Sequence, residues 1–160
     1  MTLNKFLKYY ISFIFFSVTI GILVGSLPNH DIVTISPPKL GWNFTWEVLK
    51  NNSNNFLSYV FLFFLSPILQ FVDLVSIVIQ LTLGIRNVGC LATIQKLLPH
   101  GLLEIPNFLF YQGLSQYLLL NFWVEKSLNS FLDREKKYVG YYLLSYSILV
   151  IASVIEGLIG

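Results

Sequence analysis

From Asn51 to Val72 the chain reads NNSNNFLSYVFLFFLSPILQFV, without a single charged side chain. Asparagines open the stretch, and apolar and aromatic residues fill most of the remainder. A helix needs about 20 consecutive apolar residues to cross a bilayer. Two other stretches share this character: Tyr9 to His30 holds no charge, and Val139 to Gly160 holds only Glu156. Hydrophobic residues make up 55% of the chain and charged residues 11%, where a soluble domain carries about 25% charged. A chain of 160 residues has too little interior to hide so much apolar surface from water. This composition excludes an ordinary soluble enzyme, a disordered chain and a nucleic-acid binder. It predicts an all-α fold, a polytopic helical membrane bundle forming one domain.

Working outward, the apolar runs predict five spans, at about 9–27, 56–71, 72–86, 101–121 and 139–159. The first, preceded by Lys5 and Lys8, is long for a signal peptide and reads as a retained span. Residues 28–55 read as an interfacial loop: Pro37-Pro38 bars a helix there, and Trp42, Phe44 and Trp46 suit the headgroup level. The second and third spans read as a hairpin parted near Asp73, with Arg86 ending the third. Pro99 suits a helix start and opens the fourth span. Residues 122–138 carry Glu125, Lys126, Asp133, Arg134, Glu135, Lys136 and Lys137 and read as a polar loop. Five crossings set Lys5, Lys8, Lys126, Arg134, Lys136 and Lys137 on the side of the N-terminus. That bias predicts a cytoplasmic N-terminus and an external C-terminus. A net charge of +2 is too small to imply a polyanionic partner. The single Cys90 excludes an internal disulfide framework and a multi-cysteine metal site.

Ionisable residues inside spans are functional candidates, because lipid does not solvate them. His100 and Glu104 are four apart and share one helix face. Glu156 stands near the end of the last, otherwise uncharged span. Counting crossings places Asn51, Asn52, Asn54, Asn55, Arg86, Asn87, His100, Glu104 and Glu156 at one rim of the bundle. One histidine and two glutamates suffice in kind for general acid/base chemistry, which makes His100, Glu104 and Glu156 the candidate catalytic residues. They would also be the ligands of any Zn²⁺ site. The HxxxE spacing lacks the second histidine of the HExxH zinc helix, so no metal and no cofactor is assigned. Gln80, Gln112 and Gln116 lie deeper in their helices, the last two on one face, and read as interhelical hydrogen-bond partners.

These residues carry a resemblance. Leu98-Pro99-His100-Gly101-Leu102-Leu103-Glu104 resembles the PHG-x-x-E signature of the stage II sporulation protein M family of bacterial multi-pass membrane proteins. Ile151-Ala152-Ser153-Val154-Ile155-Glu156-Gly157 is similar to that family's final Ala-x-x-x-Glu segment. Gly84-Ile85-Arg86-Asn87-Val88-Gly89 resembles the Asn-x-x-Gly turn before the histidine motif. The resemblance runs from about Lys50 to the C-terminus and marks Asn87, Gly89, Pro99 and Gly101 as structural motif positions. It departs at Tyr111 to Gln116, where the family has smaller residues. Short family members resemble those encoded with circular bacteriocins. The resemblance therefore implies the bacterial cytoplasmic membrane and a role in peptide maturation, secretion or producer immunity. The expected partners are membrane lipid, other membrane proteins and a hydrophobic precursor peptide, and no nucleic acid. Two alternatives stay open: an intramembrane hydrolase or ligase acting on such a peptide, and a subunit of a sporulation membrane complex.

Overall fold

In the computed structural model the described residues are 2–27, 39–125 and 128–159, and all regular structure among them is helical. Helix α1 covers Leu3–Ser26, α2 Trp42–Phe61, α3 Ser66–Val88, α4 Cys90–Glu125 and α5 Leu128–Ile159, with a 3₁₀ turn at Phe63–Leu65 before α3. The all-α expectation holds.

Among the described residues, three helical segments are long and apolar enough to cross a membrane: Leu3–Ser26, Phe63–Val88 and Lys136–Leu158. The distribution of side chains is the reverse of a water-soluble protein. Phe15, Phe61, Trp42 and Leu91 are each at least 70% exposed. Ser17, Gln70, Gln112, Gln116, Ser145 and Ser153 are completely buried. Apolar surface turned outward and amides turned inward are stable when the surrounding solvent is hydrocarbon.

Contacts along the helices fix their directions. Gly21 of α1 lies on Val78 of α3 and Gly25 on Thr82, so numbering rises together and the two helices run parallel. Gly84 meets Thr93, while Gln70 meets Gln116, so α4 returns antiparallel along α3. Asn107 pairs with Ser145, and Ser115 with Tyr142, which makes α5 antiparallel to α4. Gly41 meets Gly157 and Ser53 meets Tyr146, so α2 runs antiparallel to α5. Phe56, Tyr59, Tyr111, Leu118, Tyr142 and Leu149 form the apolar core. The Phe56 ring stands edge-on to Tyr111 and Tyr142, at centroid distances of 5.1 and 6.0 Å, a favourable arrangement for aromatic quadrupoles.

Several boundaries differ from those read in the sequence. The loop expected over 28–55 is helical from Trp42 onward; residues 28–38 lie outside the described residues. Asparagines disfavour a helix by propensity, but here their side chains bond to neighbouring helices, and tertiary contacts override the weak local preference. The loop expected over 122–138 is also largely helical, since α4 runs to Glu125 and α5 begins at Leu128. The break expected near Asp73 falls instead at Leu62–Leu65, and α3 passes through Asp73 uninterrupted. Pro67 occupies the first turn of α3, where its missing N–H is harmless. The hairpin partner of α3 is therefore α4, and the reversal sits at Gly89 with φ +89°, a conformation glycine adopts without strain. Helix α4 starts nine residues before Pro99 and contains Pro106 as well. Its 36 residues span about 54 Å, well beyond a hydrocarbon core of about 30 Å.

Candidate functional site

A cavity of about 760 Å³ lies at the centre of the bundle, and every helix contributes to its wall. Ile14 comes from α1, Asn52 from α2, Asp73 from α3, Glu104 from α4 and Leu149 from α5. Ile77, Leu81, Leu97 and Phe108 make much of the wall apolar. The two carboxylates, Asp73 and Glu104, project from different helices into this space. No lysine or arginine is among the described residues of the wall.

Asp73 is held by neutral donors. Its Oδ2 accepts from Asn55 Nδ2 at 2.9 Å, from Tyr59 Oη at 2.8 Å and from Gln112 Nε2 at 3.4 Å. Tyr111 in turn donates its hydroxyl to Asn55 Oδ1 at 2.7 Å. One turn away a second chain of amides crosses the bundle. Tyr10 donates to the Leu109 carbonyl and accepts from Gln70 Nε2 at 2.7 Å. Gln116 Nε2 then donates to Gln70 Oε1 at 2.6 Å. Gln112 and Gln116 thus make the interhelical bonds read from the sequence, whereas Gln80 lies in the cavity wall. Buried bonds of this kind fix helix register, because breaking one leaves a polar group without solvent.

Glu104 is half-buried in the cavity wall and accepts from Asn52 Nδ2, joining α4 to α2. The backbone of His100 is helical, but its side chain lies outside the described residues, as does that of Pro99. Gly101 is buried at the cavity wall. Asn87 Nδ2 bonds to the Leu83 carbonyl of its own helix at 2.6 Å, and Gly89 makes the α3–α4 turn. Glu156 is half-buried near the end of α5 and is not part of the cavity wall. Its neighbour Gly157 packs on Thr45 of α2, whereas Glu104 meets α2 at Asn52. Those positions on α2 are separated by about 10 Å of helical rise. The two glutamates therefore occupy the same half of the bundle at different levels. Among the described residues no three His, Cys, Asp or Glu side chains converge as metal ligands.

Asp73 enters the sequence reading only as the break between two spans. The signal for it was present: an acidic residue inside a long apolar run is costly and marks an interior position. Arg86 is a second addition, donating from Nη1 to the carbonyls of Gly25 and Leu27 at 3.0 and 3.1 Å. A third is the small-residue stripe Ser17, Gly21 and Gly25 of α1, whose G-x-x-x-G spacing is a known helix-packing signal. Comparison with known proteins gives no match: no family model, no curated protein and no solved structure aligns with this chain.

Proposed function

We propose that this protein is a multi-pass component of the bacterial cytoplasmic membrane that takes an apolar peptide segment into its central cavity. The cavity carries this reading. One turn of helix, 10–12 Å across with a 5.4 Å pitch, fills roughly 400–600 Å³. A space of about 760 Å³ therefore accommodates one to two turns of a guest, or a comparable extended stretch. Apolar walls suit its side chains, while Asn51, Asn52, Asn55 and Glu104 line the same space and can meet backbone groups that hydrocarbon leaves unsatisfied. The resemblance of residues 98–104 and 151–157 to the sporulation family supports a setting in circular bacteriocin maturation, secretion or producer immunity. The alternating directions of the five helices support five crossings, and the basic residues beside the N-terminus support its cytoplasmic placement.

The test is site-specific photocrosslinking in membranes that also contain a hydrophobic precursor peptide. A photoreactive side chain at Ile77, in the cavity wall, should capture the peptide. The same group at Phe15, 74% exposed, should not. Leu97→Trp, which fills the cavity, should reduce capture at least roughly tenfold, the effect of losing about 1.4 kcal/mol of binding. Equal capture at both positions, or capture indifferent to Leu97→Trp, would defeat the proposal.

A further inference from the structure

We infer that the outer groove between α2 and α5 holds one acyl chain of an anionic phospholipid, whose phosphate headgroup is drawn to Lys136. The shape of this interface follows from its residues. At one end the two helices touch through Gly157, where a Cβ would stand 2.5 Å from the Thr45 Cα. Toward the other end the Phe56 ring stands between them, its centroid 5.4 Å from that of Tyr146 and 6.0 Å from that of Tyr142. A glycine contact at one end and stacked rings at the other splay the helices apart. The space left on the outer side is a groove of about 430 Å³. Phe56 and Tyr142, both buried, form its floor, and the exposed Leu57, Val139 and Leu143 form its rims.

Length, width and charge together select the occupant. Along α5 the groove runs from Lys136 to Tyr146, about 15 Å of helical rise. That is the depth of one leaflet of a hydrocarbon core about 30 Å thick. Spread over this length, the volume of about 430 Å³ gives a mean cross-section of about 29 Å², against roughly 80–110 Å² for a helix with its side chains. The groove is therefore wide enough for a single hydrocarbon chain and too narrow for a helix to enter.

Charge stands at one end only. Lys136 lines the groove where the apolar segment of α5 begins, and both it and Lys137 are exposed. A lysine at the end of a span lays its stem along apolar surface and carries its ammonium to the headgroup level. Among the described residues no carboxylate lines the groove. An apolar slot one leaflet deep, with a cation at headgroup height, is complementary to an apolar tail under a negative head. A zwitterionic head brings a cation of its own beside the phosphate and gains less there, and basic pockets between helices select anionic lipids in this way. The groove shares no described lining residue with the central cavity, so the inference holds whether or not the cavity takes a peptide.

The experiment uses the full chain purified in detergent and incubated with phosphatidylglycerol or phosphatidylcholine of equal chain length. Native mass spectrometry reads bound lipid and oligomeric state together. A single phosphatidylglycerol should be retained per chain, roughly fivefold more tightly than phosphatidylcholine. Lys136→Gln should remove most of that preference, and Lys136→Arg should keep it. Leu143→Trp, which fills the groove, should weaken retention roughly tenfold. Ile151→Trp, at an exposed position of α5 outside the groove, should leave retention unchanged. Equal retention of the two lipids, a preference indifferent to Lys136→Gln, or equal losses from Leu143→Trp and Ile151→Trp would overturn the inference and leave only an unselective lipid layer. A dimer that Leu143→Trp disrupts would also overturn it, assigning the groove to a second copy of the chain.

Discussion

Arg86 illustrates how one side chain can close two structural problems. The last carbonyls of α1 have no partner within that helix, and the partial negative charge of a helix C-terminus gathers there. The guanidinium reaches across from α3 and satisfies Gly25 and Leu27 together. Hydrogen bonds from a charged donor contribute about 1.5–3 kcal/mol each, less where water competes. Arg86→Met should therefore lower stability by about 1–3 kcal/mol, seen as a reduced Tm in detergent. Arg86→Lys should recover part of the loss, keeping the charge without the planar fork. If Arg86→Met melts like the parent, this contact contributes nothing. The sequence marks Arg86 as the end of a span, and it lies in the last turn of α3. That it also ties down α1 depends on a neighbour some 60 positions away, and no local pattern carries that information.

Between helices, the small residues decide how closely the backbones approach. A Cβ on Gly21 would lie 2.6 Å from Val78 Cβ, and one on Gly25 would lie 2.9 Å from Thr82 Cβ. Gly157 is tighter still: a Cβ there would stand 2.5 Å from the Thr45 Cα, a backbone atom that cannot rotate aside. Gly140, on the same helix α5, has open space where its Cβ would be. The same substitution should consequently act with opposite signs. Gly140→Ala should stabilise by up to about 1 kcal/mol through helix propensity. Gly157→Ala should destabilise by about 1–3 kcal/mol through overpacking against α2. Thermal unfolding of the two variants side by side checks both, and equal shifts would refute the close α2–α5 contact. The apolar runs and their approximate order were legible because composition alone reports them. The α2 helix was not, because the Asn51–Asn55 cluster resembles a loop until Glu104 and Asp73 are placed opposite it.

For the whole molecule, alternating helix directions make a prediction that needs no engineering. Cys90 is the single cysteine of the chain, and it is free and exposed at the start of α4. This end of the bundle also holds the end of α1, through the Arg86 bonds to Gly25 and Leu27. With a cytoplasmic N-terminus, Cys90 faces outward. A membrane-impermeant maleimide should then label it in intact cells, without prior permeabilisation. Labelling only after permeabilisation would reverse the proposed orientation. The distribution of side chains belongs to this scale as well. Exposed aromatic and aliphatic residues give the bundle a surface suited to lipid, while the amides of α3 and α4 meet each other.

The sequence by itself determined the solvent and the class of fold. Scarcity of charge and length of apolar runs are summed properties of the chain, and a bilayer responds to those sums. It also singled out Glu104, Gln112 and Gln116 as interior polar groups, since each interrupts an apolar helix. Only the tertiary structure decided which of them meet. Glu104 joins Asn52 of α2, Asp73 gathers Asn55, Tyr59 and Gln112 from two helices, and Glu156 stays outside the cavity wall. Helix crossing and register decide such meetings. Both are set by where small residues allow backbones to touch, a pairwise fact that no single segment contains.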